Sequence, residues 1–229
     1  MAKKTEMLGV IFDKDEHKSP SIDAEHCDYY IPFDKHEDYF DIYENYVAFI
    51  KGCESLVRKH SFYSKYIKYL IDIVGIRTCQ VLSNIEVGED KKKVTIEMHH
   101  GPILTLFDHC AIVLNYFRSI NEPNITTFKV ANTVIEEHRL NNVRVVLLSK
   151  SVHQQVHSDN IMLNYNVGFG DTATFLKKYA AGIDRQTRKM INTYIEWSKS
   201  NDCCDNHVLE ISDTIKKYDN DFDDFNFTI

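Results

Sequence analysis

Two pairs of histidines constrain this chain more than any other feature, because each closes a segment with its own period. In residues 94–100, Val94, Ile96 and Met98 alternate with Thr95, Glu97 and His99, the period of a half-buried strand. His99-His100 ends that strand, and Gly101-Pro102 breaks it. The run VRVVLL at 143–148 is rich in β-branched residues and predicts a second strand. SKSVHQQVH at 149–157 predicts a short helix. There His153 and His157, four residues apart, share one face and stand close enough to grip one metal ion. Strand with His-His, then strand, then helix with HxxxH is a ββα order, which brings the end of the first strand beside the helix face. Neighbouring strand residues point to opposite faces. His99 and His100 therefore serve one site only where the strand loses its regularity, and Gly101-Pro102 is expected to supply that break.

Around this unit the periods are mostly helical. From Tyr39, the residues Tyr43, Tyr46, Val47, Ile50, Cys53 and Val57 fall on one helix face. A second helix is expected after Ser61 as its N-cap, carrying Tyr63, Tyr66, Ile67, Leu70, Ile71 and Val74 and stopped at Gly75. A further strand is expected over 77–87, joined to the His-His strand by the polar turn at 88–91. Two helices are expected over 103–120 and 127–140, the second capped by Thr126 or Thr127. On them His109 is expected to be partly exposed, and His138, on the apolar stripe, a satisfied core residue. A helix closed by Gly182 and a last helix capped by Asp184 and running through Trp197 complete the pattern. The expected architecture is α+β. Residues 1–75 form an N-terminal arm and helical region, 76–165 a central ββα core with a helical insertion at about 103–140, and 166–229 a C-terminal helical region with an acidic tail.

Composition narrows the function classes. No run of ~18 apolar residues is present to span a membrane, and the N-terminus lacks the apolar stretch of a signal peptide, so an intracellular, cytoplasmic protein is expected. None of the six cysteines falls in a CxxC pair, which argues against a thiolate zinc knuckle and for free thiols in a reducing compartment. The net charge of −7 weighs against tight, indiscriminate binding to duplex DNA.

The segments IEMHHGPI and NNVRVVLLSKSVHQQVH resemble the HNH, or ββα-metal, nuclease motif, most closely that of the nuclease colicins, which also carry a His-His doublet and a terminal HxxxH. The resemblance implies a ββα-metal fold and divalent-metal-dependent hydrolysis of DNA, with Mg, Mn, Zn or Ni as the ion. It implies that His99, His153 and His157 hold the metal and that His100 is the general base. Asn142 is implied as the bracing Asn, with Asn141 as its competitor. Imidazole suits both tasks: it ligates these metals, and with an unperturbed pKa of about 6.5 it accepts a proton near neutrality. Arg139, Arg144 and Lys150 are candidates to contact phosphate. The segment between doublet and Asn is longer than in the usual motif and carries the two expected helices. Such a protein suits a phage-borne or mobile-element endonuclease.

Two other readings stand beside this one. In the first, all four histidines close a structural zinc site in a non-catalytic module that binds nucleic acid or a protein partner. In the second, the chain is a virion-associated or protein-interaction factor with a degenerate nuclease fold, which the acidic balance favours.

Overall fold

The caps and stripes that set the helices are largely those of the sequence, and they build a frame around one short hairpin-like pair of strands. The computed structural model describes residues 5–7, 10–12, 39–82, 95–158 and 160–217. The turn at 88–91, the acidic tail and most of the N-terminal arm lie outside the described residues. From the arm, β1 (Thr5–Met7) and β2 (Val10–Phe12) pair antiparallel. The rest is mixed α/β and mostly helical: α1 (Tyr43–Lys59), α2 (Ser61–Asp72), β3 (Ile96–His100), α3 (Leu106–Ser119), α4 (Thr127–Arg139), β4 (Val145–Ser149), α5 (Lys150–His157), α6 (Thr172–Lys178), α7 (Arg185–Ser200) and α8 (Asn206–Lys217).

α1 buries Tyr46, Phe49, Ile50, Cys53 and Val57, while Tyr43, expected on that face, is exposed. α2 is capped by His60, whose Nδ1 accepts the Phe62 amide at 3.1 Å, rather than by Ser61. The chain leaves α2 through Gly75 at φ +85, a conformation that favours glycine. α3 opens with a reciprocal capping box between Thr105 and Asp108, α4 with the Thr126 hydroxyl, and α7 with Asp184 accepting the Thr187 amide at 2.7 Å. α8 is an element the sequence reading missed. Its apolar residues Val208, Ile211 and Ile215 are spaced three and four apart and buried, a legible helical stripe in a segment overshadowed by charge.

One core cluster draws on α1, α3, α4, α6, α7 and α8 together, including Ile50, Leu114, Val134, Phe175, Ile191 and Ile211. The helices between doublet and second strand are therefore part of the main core. The 3-10 turn Ala180–Gly182 lies directly on α3, where a Cβ on Gly182 would meet the Ile112 carbonyl oxygen at 2.0 Å.

β3 and β4 pair antiparallel, with His99 opposite Val146 and His100 opposite Val145. All five residues of β4 are buried, which explains its uninterrupted apolar run. Met98, Val145 and Leu147 face Tyr66 and Leu70 of α2, and Val146 and Leu148 face Val152 of α5 and Leu163. The strand expected over 77–87 does not form in its described part, 77–82, and its remainder lies outside the described residues. The far edge of β4 is instead divided between two short contacts. Gln80 donates its amide to the Leu147 carbonyl at 2.9 Å and accepts the Leu147 amide on Oε1 at 2.7 Å. Phe169 exchanges two backbone bonds of 2.8 Å with Val145. Among the described residues, no helix is long and apolar enough to cross a membrane.

Candidate metal centre

The end of β3 and the length of α5 are placed by the same device. Ser149 is both the last residue of β4 and the N-cap of α5, so the helix starts without a loop and its first turns lie beside β3. His99, His153 and His157 each offer one ring nitrogen, and the three lie within 4.8 Å of one another. His99 stands edge-on to both partners, with ring centroids 5.2 Å from His153 and 5.1 Å from His157. His153 Nδ1 donates to Glu97 Oε2 at 2.6 Å, which in the neutral ring leaves Nε2 as the bare nitrogen. That Nε2 is 3.0 Å from Nε2 of His157. A carboxylate holding the far nitrogen of a ligating imidazole is the usual second support of a metal site. Burial, then the neighbouring His153, His157 and Arg58, push the pKa of His99 down to about 4, and burial followed by His153 lowers that of His157. Convergent imidazoles, one of them oriented by a carboxylate, fit a divalent ion.

His100 does not share this face. β3 stays regular through His100, so the alternation of the strand splits the doublet, and the break expected from Gly101-Pro102 comes one residue too late. The His100 ring is buried at 4% exposure, with Nε2 3.0 Å from Nε2 of His138 and Tyr63 stacked at a centroid distance of 6.1 Å. A closed site of four imidazoles on one ion is thus not formed. Both members of the doublet nonetheless border a cleft of about 770 Å³, together with Thr105, His157 and, from α7, Gln186, Lys189 and Thr193.

The other candidate residues take different places. His138 is buried on the apolar stripe as expected, and His109, expected to be partly exposed, is buried at 1% exposure, because Phe175 of α6 covers it at 4.7 Å between centroids. Asn142 does not brace His100. Its Nδ2 donates to Glu137 Oε2 at 2.7 Å, while Asn141 accepts the Tyr66 hydroxyl at 3.2 Å. Glu137 also accepts Lys178 and Tyr179. Burial raises its pKa, but these three hydrogen bonds outweigh that and hold it below the ordinary value. Asn142 therefore ties down the end of α4, the helix that carries His138.

Arg144 is not available to phosphate. It is buried, its guanidinium lies 3.8 Å from the Tyr165 ring centroid, and it donates to the Tyr165 carbonyl at 2.9 and 2.6 Å and to the Gly170 carbonyl. Arg139 reaches Glu136 at 3.5 Å and lies over Phe62, and Lys150 is exposed at the start of α5. Removing Arg144 leaves buried carbonyls unpaired, at about 1–3 kcal/mol each. Arg144→Met is accordingly expected to lower the thermal midpoint by several degrees while zinc affinity is unchanged; a variant with weakened ligand binding and wild-type stability would restore a binding role.

Residues the sequence reading missed stand closer. Glu97 shares the alternation of His99, a signal present in the strand pattern. Glu54 and Arg58 of α1, paired at 3.6 Å, line a smaller pocket with His99, His100, Thr105, His153 and His157. They come from a helix about forty residues upstream of the doublet, with no local motif to mark them.

A family model described as Bacteriophage G278-like virion protein matches residues 1–221 of the chain. No curated protein and no solved structure matches it. That match spans nearly all of the 229 residues, and the chain belongs to the bacteriophage G278-like virion protein family.

Proposed function

We propose that this phage virion protein is a metal-dependent nuclease of the HNH type, with β3, β4 and α5 as its ββα-metal core and DNA as its substrate. The observation that supports it is the convergence of His99, His153 and His157 with Glu97 behind His153. A bound divalent ion would offset the negative charge that develops on a phosphoryl oxygen during hydrolysis. His99, His153 and His157 would hold that ion as neutral ligands, which would leave its charge undiminished, and Glu97 would keep His153 in the ligating tautomer. His100, on the far face but bordering the same cleft, takes the proton from the attacking water. Lys189, Gln186 and Thr193 line that cleft, and a phosphate backbone passing through it would meet the Lys189 ammonium. The net charge of −7 fits a nuclease whose DNA is delivered by its surroundings in the particle better than one that captures duplex from solution.

A second reading is favoured by one feature: the general base proposed here is nearly enclosed and is turned from the metal cluster. A virion component with a structural three-histidine metal site, lacking catalysis, has the same cluster without needing His100. A plasmid-nicking assay with Mg, Mn, Ni and Zn in turn separates the two. The nuclease reading expects conversion of supercoiled to open-circular DNA that EDTA stops. Stoichiometric metal binding with no cleavage by any of the four ions would replace it with the structural reading.

A further inference from the structure

Resting on the nuclease reading, we propose that His138, on the inserted helix α4, is the positioning residue of His100: it accepts a hydrogen bond from His100 Nε2–H and so presents His100 Nδ1 as the bare, proton-accepting nitrogen.

The hydrogen-bond polarity follows from atoms with one possible role. His138 Nδ1 lies 2.7 Å from the Val134 carbonyl oxygen. A carbonyl only accepts, so Nδ1 of His138 carries a proton. In the neutral ring its Nε2 is then a lone pair. The 3.0 Å contact between His138 Nε2 and His100 Nε2 needs one hydrogen, and it must come from His100. The neutral form of His100 is therefore Nε2–H, with Nδ1 free to accept. Glu137, the sequence neighbour of His138, acts on that ring through its charge, and among the described residues no carboxylate hydrogen-bonds to either ring. Around the pair lie Tyr63 stacked on His100, Tyr66 edge-on to His138 at 5.6 Å, and His109 at 6.4 Å from His100, with Arg58 acting on His100 through its charge.

The arrangement also gives the long insertion a role. A buried histidine with an uncommitted tautomer presents its proton in the wrong place part of the time, and a single strong acceptor removes that choice. Here the acceptor is delivered from α4, whose C-terminal end is fixed by the Asn142–Glu137–Lys178–Tyr179 cluster one residue before His138. His109 has the same anchoring, Nδ1 to the Thr105 carbonyl at 2.7 Å, and a buried Nε2 with no partner. Three imidazoles thus crowd one buried space, which makes a second metal centre the competing account.

The test is the ring tautomer itself, read by long-range ¹H–¹⁵N correlation spectra of the full-length protein loaded with zinc. The expected result is His100 protonated at Nε2 and bare at Nδ1, and His138 the reverse. His138→Gln, whose amide oxygen still accepts, is expected to keep the His100 pattern, and His138→Leu to give a mixed or reversed one. Turnover is expected to fall by about 10- to 100-fold in His138→Leu, with KM unchanged and recovery in His138→Gln. Wild-type His100 protonated at Nδ1, an unaltered His100 tautomer in His138→Leu, or a second bound zinc lost in that variant would each overturn the proposal. The spectra of the wild-type protein need no cleavage, so a protein that shows the expected tautomers but cuts no DNA refutes the nuclease reading and leaves this hydrogen bond standing.

Discussion

The metal-free protein is expected to lose stability steeply as the pH falls below about 6.5 and to unfold before pH 4. Four buried histidines carry this result. Burial pushes the pKa of His99 and His138 down to about 4 and that of His109 to about 3, and holds His100 well below its ordinary value. In the unfolded chain each returns to about 6.5. Between those values the unfolded state binds more protons than the folded one, so stability is complete above 6.5 and drains as pH falls through the folded pKa values. Each such group contributes a slope of about 1.4 kcal/mol per pH unit, and four acting together are enough to exhaust a typical 5–15 kcal/mol within a few units. Asp108 and Glu54, raised by burial, work in the opposite direction, but there are two of them against four histidines. Circular dichroism across pH 7.5–4 in EDTA checks this, with urea titrations at pH 7 and 5.5 giving the slope. Equal urea midpoints at those two pH values would show that these rings are hydrated and titrate freely. Added zinc is expected to move the transition to lower pH, since bound metal competes with protons for His99, His153 and His157.

Which parts of this arrangement were legible in the sequence follows from how far each signal reaches. The i, i+4 spacing of His153 and His157 and the alternation of β3 are local, and the three candidates they single out are the ones the fold brings within 4.8 Å of one another. Glu97 was equally local, two residues before His99, and needed only the question of what orients His153. The doublet was read with a break one residue early, because Gly101-Pro102 marks where a strand ends but not whether the preceding residue is still paired; Val145 keeps His100 in register. Arg144 illustrates the opposite limit. A cation two residues after an Asn beside a suspected phosphate site invites a binding role, and only the fold shows that the bend at 165–170 wraps its guanidinium in carbonyls. Gly170, at φ +111 with no room for a Cβ against Val143, holds that bend. His138 and Arg58 come beside the doublet only through the tertiary fold, which no spacing within either helix encodes.

Replacing His100 with alanine is expected to lower the cleavage rate by about 10²–10⁴-fold, the usual contribution of a general base, with the metal still bound. The separation of the two effects comes from the strand. His99 and Glu97 project to the α5 side and His100 to the α2–α4 side, so truncating His100 leaves the three imidazoles and their carboxylate untouched. His153→Ala, by contrast, removes one of the three candidate ligands and strands Glu97, and is expected to weaken both metal affinity and cleavage. The pair of variants thus discriminates three states of affairs. Loss of cleavage with retained zinc in His100→Ala, and loss of both in His153→Ala, is the pattern of a base acting beside a metal. Loss of zinc in both variants, with the wild-type circular dichroism retained, would mean that the two faces of β3 are one coupled site. Cleavage by His100→Ala at the wild-type rate would take His100 out of the mechanism and leave its contact with His138 as packing alone. Because the alanine also opens a cavity between Tyr63 and His138, zinc stoichiometry serves as the fold control: a chain that still holds one ion through residues on α5 and β3 has kept the register that brings them together.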